Sequence, residues 1–281
     1  MTSTATDTIT GPIATPAPPS FVDGRVTVRR VISAELIKIR SLRSMAVAIV
    51  IAALSIVAGG VFAAIGIIVS KPSPDGGPAV ALDPAGGSLT GVSIAVYAVA
   101  TLGVLAVTSE YASGTIKPTL AAVPRRGLLI AGKAAAVAAV TVAVTLTATL
   151  TAFFAAKAIL STAGMTVSLT EPGVLRAVTG AAPYLTVVAV LSSAFGWLLR
   201  STAAAIATVV AVFVLPPVIG LLLPARIAAI VVPYLPDSAG TAIMQLAPTG
   251  QLGPWTGFAV FVGYTAAVLG GAVLLLRHRD A

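Results

Sequence analysis

Residues 110–133 read EYASGTIKPTLAAVPRRGLLIAGK, a dense polar pattern set inside an otherwise apolar chain. Residues 84–109 before it carry no charge, and residues 134–156 after it carry none. A helix needs about 20 apolar residues to cross the hydrocarbon core of a bilayer. The two flanks therefore read as membrane spans, and the stretch between them as their connection on one side. Span two ends at Ser109-Glu110, where the first charge since Asp83 appears. Gly114 loosens the chain, Pro118 suits the first turn of a short helix over Thr119–Val123, and Pro124 stops that helix. Arg125 and Arg126 follow at the membrane surface, and the next span resumes after Lys133. A simple cluster of cytoplasm-retained basic residues would account for Arg125, Arg126 and Lys133. It would not account for the placement of Glu110, Gly114, Thr115 and Pro124. The pattern predicts a short rigid element held between two spans, able to transmit a rigid-body push.

The same alternation of long uncharged runs and short polar breaks extends over the chain. Of its 281 residues 57% are hydrophobic and 9% charged, with a mean hydropathy of +1.03. Soluble domains carry about 25% charged residues. The fold class expected is an all-α integral membrane protein with six transmembrane helices. The spans are Met45–Val69, Leu89–Thr108, a third with its body at 134–156, then 177–199, 201–225 and Trp255–Leu276. A tight turn at Arg200-Ser201 separates the fourth from the fifth. The apolar run Ile227–Leu235 is too short to cross and reads as a re-entrant or interfacial segment.

Residues 1–24, rich in Thr, Pro, Ala and Ser, read as a disordered cytoplasmic tail preceding a transmembrane domain over 25–281. No basic segment precedes an apolar core there, so they are not expected to be a signal peptide. Residues 26–43 form an amphipathic helix. Val28, Val31, Ile32, Leu36, Ile39 and Leu42 share one face, while Arg29, Arg30, Ser33 and Arg40 fall away from it. The expectation is an interfacial helix with its apolar side in lipid and Arg40 and Arg43 near headgroups. Glu35 lies in the apolar face, where Lys38 at i+3 is placed to pair with it. Six spans put both termini on one side. Thirteen of the 17 Lys and Arg residues then fall on that side, which makes it cytoplasmic. Trp197 and Trp255 suit the two interfacial belts. Gly59, Gly60, Gly66, Gly270 and Gly271 permit close helix approach, and Pro216-Pro217 should kink span five.

Composition also excludes chemistry. There is no cysteine, and the one histidine is His278. Disulfides, Cys/His metal sites, thiol catalysis and Ser–His catalysis are thereby removed. No catalytic residue, cofactor or metal is expected. Despite the formal charge of +8, no basic run with interleaved aromatics points to nucleic acid. The chain lacks a G-x-x-x-x-G-K-[ST] phosphate loop, so any drive by ATP through such a loop must come from another polypeptide. No span carries an ionisable residue at its centre, which disfavours an ion-coupled carrier.

Two stretches resemble a known family, and a third does so more weakly. SAELIKIRSLRS (Ser33–Ser44) is similar to an acidic–Lys–Leu–Arg-Ser pattern found in permease subunits of ABC-2 type ATP-binding-cassette transporters, especially actinobacterial ones. Ile39 stands where Leu is usual. EYASGTIKPTLAAVPRRGLLIAGK is similar to the same family's most recognisable signature, with Glu110, Ser113-Gly114-Thr115, Pro124-Arg125-Arg126 and Lys133 in place. YLPDSAG (Tyr234–Gly240) also looks familiar. The resemblance runs from about residue 26 onward. It implies a plasma-membrane exporter built as a permease dimer, with a coupling helix between spans two and three docked on a separate ATPase subunit. On that reading Glu110, Tyr111, Gly114, Thr115, Pro124, Arg125 and Arg126 dock the ATPase, supported by Glu35, Lys38, Arg40 and Arg43. The other readings are a non-transporting sensor or immunity protein that binds a cytoplasmic partner through the same loop, and an ion-coupled carrier.

Overall fold

The structure, a computed structural model, describes residues 27–70, 83–122, 126–246 and 252–278. The expected N-terminal tail lies outside the described residues, as do Pro124 and Arg125. Among the described residues there are helices and no strands. They are α1 (Val28–Ser41), α2 (Arg43–Val69), α3 (Pro84–Gly87), α4 (Val92–Ala112), α5 (Ile116–Ala122) and α6 (Arg126–Ser161). There follow α7 (Val174–Leu199), α8 (Thr202–Leu222), α9 (Ala225–Val231), α10 (Pro236–Thr241) and α11 (Pro254–His278). Six of these helices, counting α3 and α4 as one span, are long and apolar enough to cross a membrane: α2, α4, α6, α7, α8 and α11. Their ends gather in two sets, Val107, Leu129, Trp197 and Leu276 in one apolar cluster and Ala64, Ala85, Phe153 and Val174 in another, as expected where successive spans run in opposite directions.

Helix boundaries follow local chemistry. Thr27 caps α1, its Oγ1 accepting from the Arg30 N–H. Asp83 caps α3 through Oδ2 on the Gly86 N–H at 3.2 Å, with Pro84 at the first helical position. Arg200 ends α7 in the left-handed region, φ 54°, and Ser201 caps α8 with its Oγ on the Ala204 N–H. The expected turn at Arg200-Ser201 is built this way. α8 runs as helix through Pro216 and Pro217 to Leu222.

α7 is the central helix. It packs on α4, α6, α8 and α11, and Tyr184, Leu185, Val188 and Ala189 are wholly buried. Gly103 sets the α4–α7 approach: a Cβ there would stand 2.1 Å from the Ala189 carbonyl oxygen. In α2, Gly59 and Gly60 do meet the Ser88–Gly91 turn closely, whereas Gly66, Gly270 and Gly271 have nothing within 4 Å. Those last three positions lie on open faces, so the expected close helix approach is not made there. α8 and α11 sit at the periphery with large apolar side chains outward, among them Leu215, Leu221 and Leu222. Exposed apolar surface of this extent fits a lipid environment.

Between α8 and α11 the chain forms a broken pair, α9 with the turn Val232–Tyr234, then α10 with the turn Ala242–Met244, bent by 63°. This is where the sequence predicts a re-entrant or interfacial segment. Arg176, at the start of α7, ties the pair down by donating to the Ile243 and Gln245 carbonyls at 3.1 and 2.8 Å.

Candidate functional site

The 110–133 connection folds at the end of the bundle that also holds α1, the start of α2, the α7–α8 turn and the end of α11. α4 continues two residues past Glu110. Gly114 then takes φ 71° and turns the chain into α5. A side chain in that backbone region is strained, so glycine is the residue that makes the reversal cheap. α5 begins at Ile116, three residues before the predicted start, with Pro118 still inside its first turn. α6 begins at Arg126, not after Lys133, so Lys133 lies two turns inside the helix.

That shift changes what Lys133 does. Its side chain is wholly buried and its Nζ donates to Glu35 Oε2 at 2.6 Å and to Glu110 Oε1 at 2.9 Å. Lys38 donates to the same Glu110 oxygen. Two acids and two bases thus form one neutral cluster that joins α1, α4 and α6. The expected Glu35–Lys38 pair within α1 is not made. Glu35 shares the buried stripe of α1 with Val31 and Ile39, one residue per turn, and that stripe lies on α6. Lys38, on the flank of the stripe, reaches α4 instead. The burial also corrects the expectation that the apolar side of α1 faces lipid: Val31 and Ile39 pack on protein, with Ile32, Leu36 and Leu42 against the same core. Gly132 makes this fit, since a Cβ there would stand 2.6 Å from Val31 Cγ1. Arg40 and Arg43 lie outside the cluster, Arg40 exposed.

Around the cluster sits a small apolar core of Val31, Val107, Ile116, Leu129, Ile130, Trp197, Ala272 and Leu276. Ile116 is the buried anchor of α5. Tyr111 packs edge-on to Trp197, ring centroids 6.1 Å apart, and the Arg200 guanidinium lies 5.5 Å from the Tyr111 ring centroid. Trp197 is buried in this core, with the Tyr111 ring of α4 against it. Arg126 donates to the Leu276 carbonyl, closing the core against α11.

The predicted docking residues divide into two layers. Glu110 and Ile116 point inward, and Tyr111 is half-buried. Gly114, Thr115, Lys117, Pro118, Ala121 and Ala122 are exposed on the outer face of the connection. Ser113 and Thr115 hold the turn, their hydroxyls 2.9 Å apart. Sequence reasoning located Lys133 but missed its role, and it missed Ile116 and Leu276. The available signal was the presence of two acids, Glu35 and Glu110, in apolar surroundings, each of which needs a buried cation.

At the opposite end, the Tyr184 hydroxyl donates to Asp237 Oδ1 at 2.9 Å. Burial raises the Asp237 carboxyl above its ordinary value, and the Tyr184 hydrogen bond lowers it part of the way. Among the described residues no group of three or more His, Cys, Asp or Glu side chains is arranged to hold a metal. Compared with protein-family models and with curated proteins, the sequence matches none.

Proposed function

We propose that this chain is the membrane-spanning subunit of an ATP-driven exporter in the plasma membrane, with α5 as the element that docks on a separate ATPase. The reading rests on the loop resemblance and on one structural observation. The connection carrying α5 is tied into α1, α4 and α6 through the Glu35–Lys133–Glu110–Lys38 cluster, with an open outer face of small and polar residues. A displacement of α5 would then move three helices together rather than one loop. On this proposal Thr115, Lys117 and Ala121 meet the ATPase. Glu110 acts behind them by holding the connection rigid, and Tyr111 acts through Trp197. The end bearing α1 and α5 is cytoplasmic on this reading, which the Lys/Arg distribution supports. α1 lies along that interface, and two copies of the chain form the export path.

The test uses the absence of native cysteine. A single Ala121→Cys variant carrying a photo-crosslinker, expressed in its native membrane, should trap a P-loop ATPase that also co-purifies at equal amounts. Recovery of the chain alone, under conditions that preserve other transporter complexes, overturns the proposal in favour of a sensor or an ion-coupled carrier.

A further inference from the structure

At the end of the bundle away from α5, a cavity of about 370 Å³ opens between α4, α7, α8 and α10. Its volume lies within the range of small-molecule sites. The walls mix aliphatic side chains such as Leu89, Val92 and Val96 with three aromatic rings, Tyr97, Tyr184 and Phe213, the hydroxyls of Ser93 and Thr241, and a single charged side chain, Asp237. Ser93 and Val214 are exposed at its rim.

The carboxylate is held firmly. Tyr184 is wholly buried and bonds Asp237 Oδ1. α10 presses on the same ring at Gly240, where a Cβ would stand 2.6 Å from the Tyr184 ring. Phe261 backs Tyr184 at a centroid distance of 5.7 Å. Among the described residues Asp237 has no cationic partner: the ion pairs all belong to the cluster at the other end, and Arg176 is bonded to main-chain carbonyls. Tyr97 and Tyr184 are the other titratable groups of the cavity wall, and neither supplies positive charge. Asp237 is partly buried, and a carboxylate drawn partly out of water with one phenol and no cation beside it gains from a positive charge. Aromatic faces beside it add attraction for a cation, most of all for one too bulky to be strongly hydrated.

We propose that this cavity binds a lipophilic monocation, an amphiphilic amine or a quaternary onium ion, with its charge against Asp237 and its apolar groups between α4, α7 and α8. The site requires no ATPase, so it is tested on the chain alone, apart from the export proposal. Equilibrium dialysis of radiolabelled tetraphenylphosphonium against the detergent-purified protein should show saturable binding. Asp237→Asn should weaken it about tenfold or more, as loss of an ionic partner in a partly desolvated site does. Ser93→Trp keeps the carboxylate but fills the cavity mouth from an exposed position, and should weaken binding while leaving thermal unfolding unchanged. Neutral triphenylphosphine oxide should compete poorly. Binding should fall on acidification as Asp237 is protonated, beginning at a higher pH than for an exposed aspartate because burial raises this carboxyl. Equal affinity in the Asp237→Asn protein overturns the proposal, and so does equal competition by the neutral analogue, which keeps the test decisive if Asp237→Asn fails to fold.

Discussion

Lys133 has no exposed surface, and two carboxylates depend on it. Replacing it by Met keeps the stem and removes the charge, leaving the buried Glu35 without a cation and Glu110 beside it with Lys38 alone. Breaking a buried ion pair from one side costs about 3–5 kcal/mol. Lys133→Met should therefore lower the thermal unfolding midpoint of the detergent-purified protein markedly. The triple variant Lys133→Met, Glu35→Gln, Glu110→Gln should recover part of that loss, since no unpaired carboxylate remains and Lys38 is partly exposed to solvent. Equal destabilisation of the single and triple variants would show that packing at position 133, not charge, matters. The chemistry of this site was partly legible in the sequence. Glu35, Lys38, Glu110 and Lys133 all stand out there as charges in apolar surroundings. Their pairing was not, because Glu35 and Lys133 are 98 residues apart and only the crossing of α1 over α6 joins them. The local i, i+3 rule proposed Glu35–Lys38, and a long-range contact overrode it.

At the scale of elements, α1 is a short amphipathic helix that has become part of the bundle. Its seat is the groove over Gly132, and its lock is the Glu35–Lys133 pair. Gly132→Val should force the two helices apart, since even a single Cβ would collide with Val31. The expected outcome is faster amide exchange across Val28–Ser41 while exchange in α4 and α7 stays slow. Uniformly raised exchange through every helix would mean instead that α1 is integral to the fold of the whole. α5 shows the same division of labour. Its seven residues are too few to hold a helix by themselves. Ile116 in the apolar core, Gly114 in the left-handed turn and the clamped ends of α4 and α6 hold it in place. The sequence placed this helix within three residues. It misjudged where α6 begins, because a lysine inside a span reads as its edge until a buried partner is known.

For the whole molecule, the paths of the six long helices bring α1, α5, the α7–α8 turn and the end of α11 to one end, and the α6–α7 connection and the α9–α10 pair to the other. In the cysteine-free background, single Ala121→Cys and Ala163→Cys variants in sealed vesicles should be labelled by membrane-impermeant maleimide from opposite sides. Labelling of both from the same side would contradict the crossing pattern. The bundle is not uniform: α7 is enclosed while α8 and α11 are open, and the most apolar stretch of α7 is 61% buried against 17% for α8. The two polar sites lie at opposite ends of this asymmetric bundle, one a neutral charge cluster beneath α5, the other a lone carboxylate in a cavity beneath α10.

The sequence by itself determined the number of the long helices and, the start of α6 apart, roughly where they lie, together with the clustering of basic residues and the positions of the interrupting segments. Each of these follows from local hydropathy, proline, glycine and charge, which are properties of neighbouring residues. Tertiary structure alone decided the partners: Lys133 with Glu35 and Glu110, Tyr111 with Trp197, Tyr184 with Asp237. The spans are nearly uniform in apolar character around their circumference, so their sequences hold little record of which face meets which helix. Those faces are chosen by close approach at small residues such as Gly103 and Gly132, and by the need of each buried charge or hydroxyl for a partner.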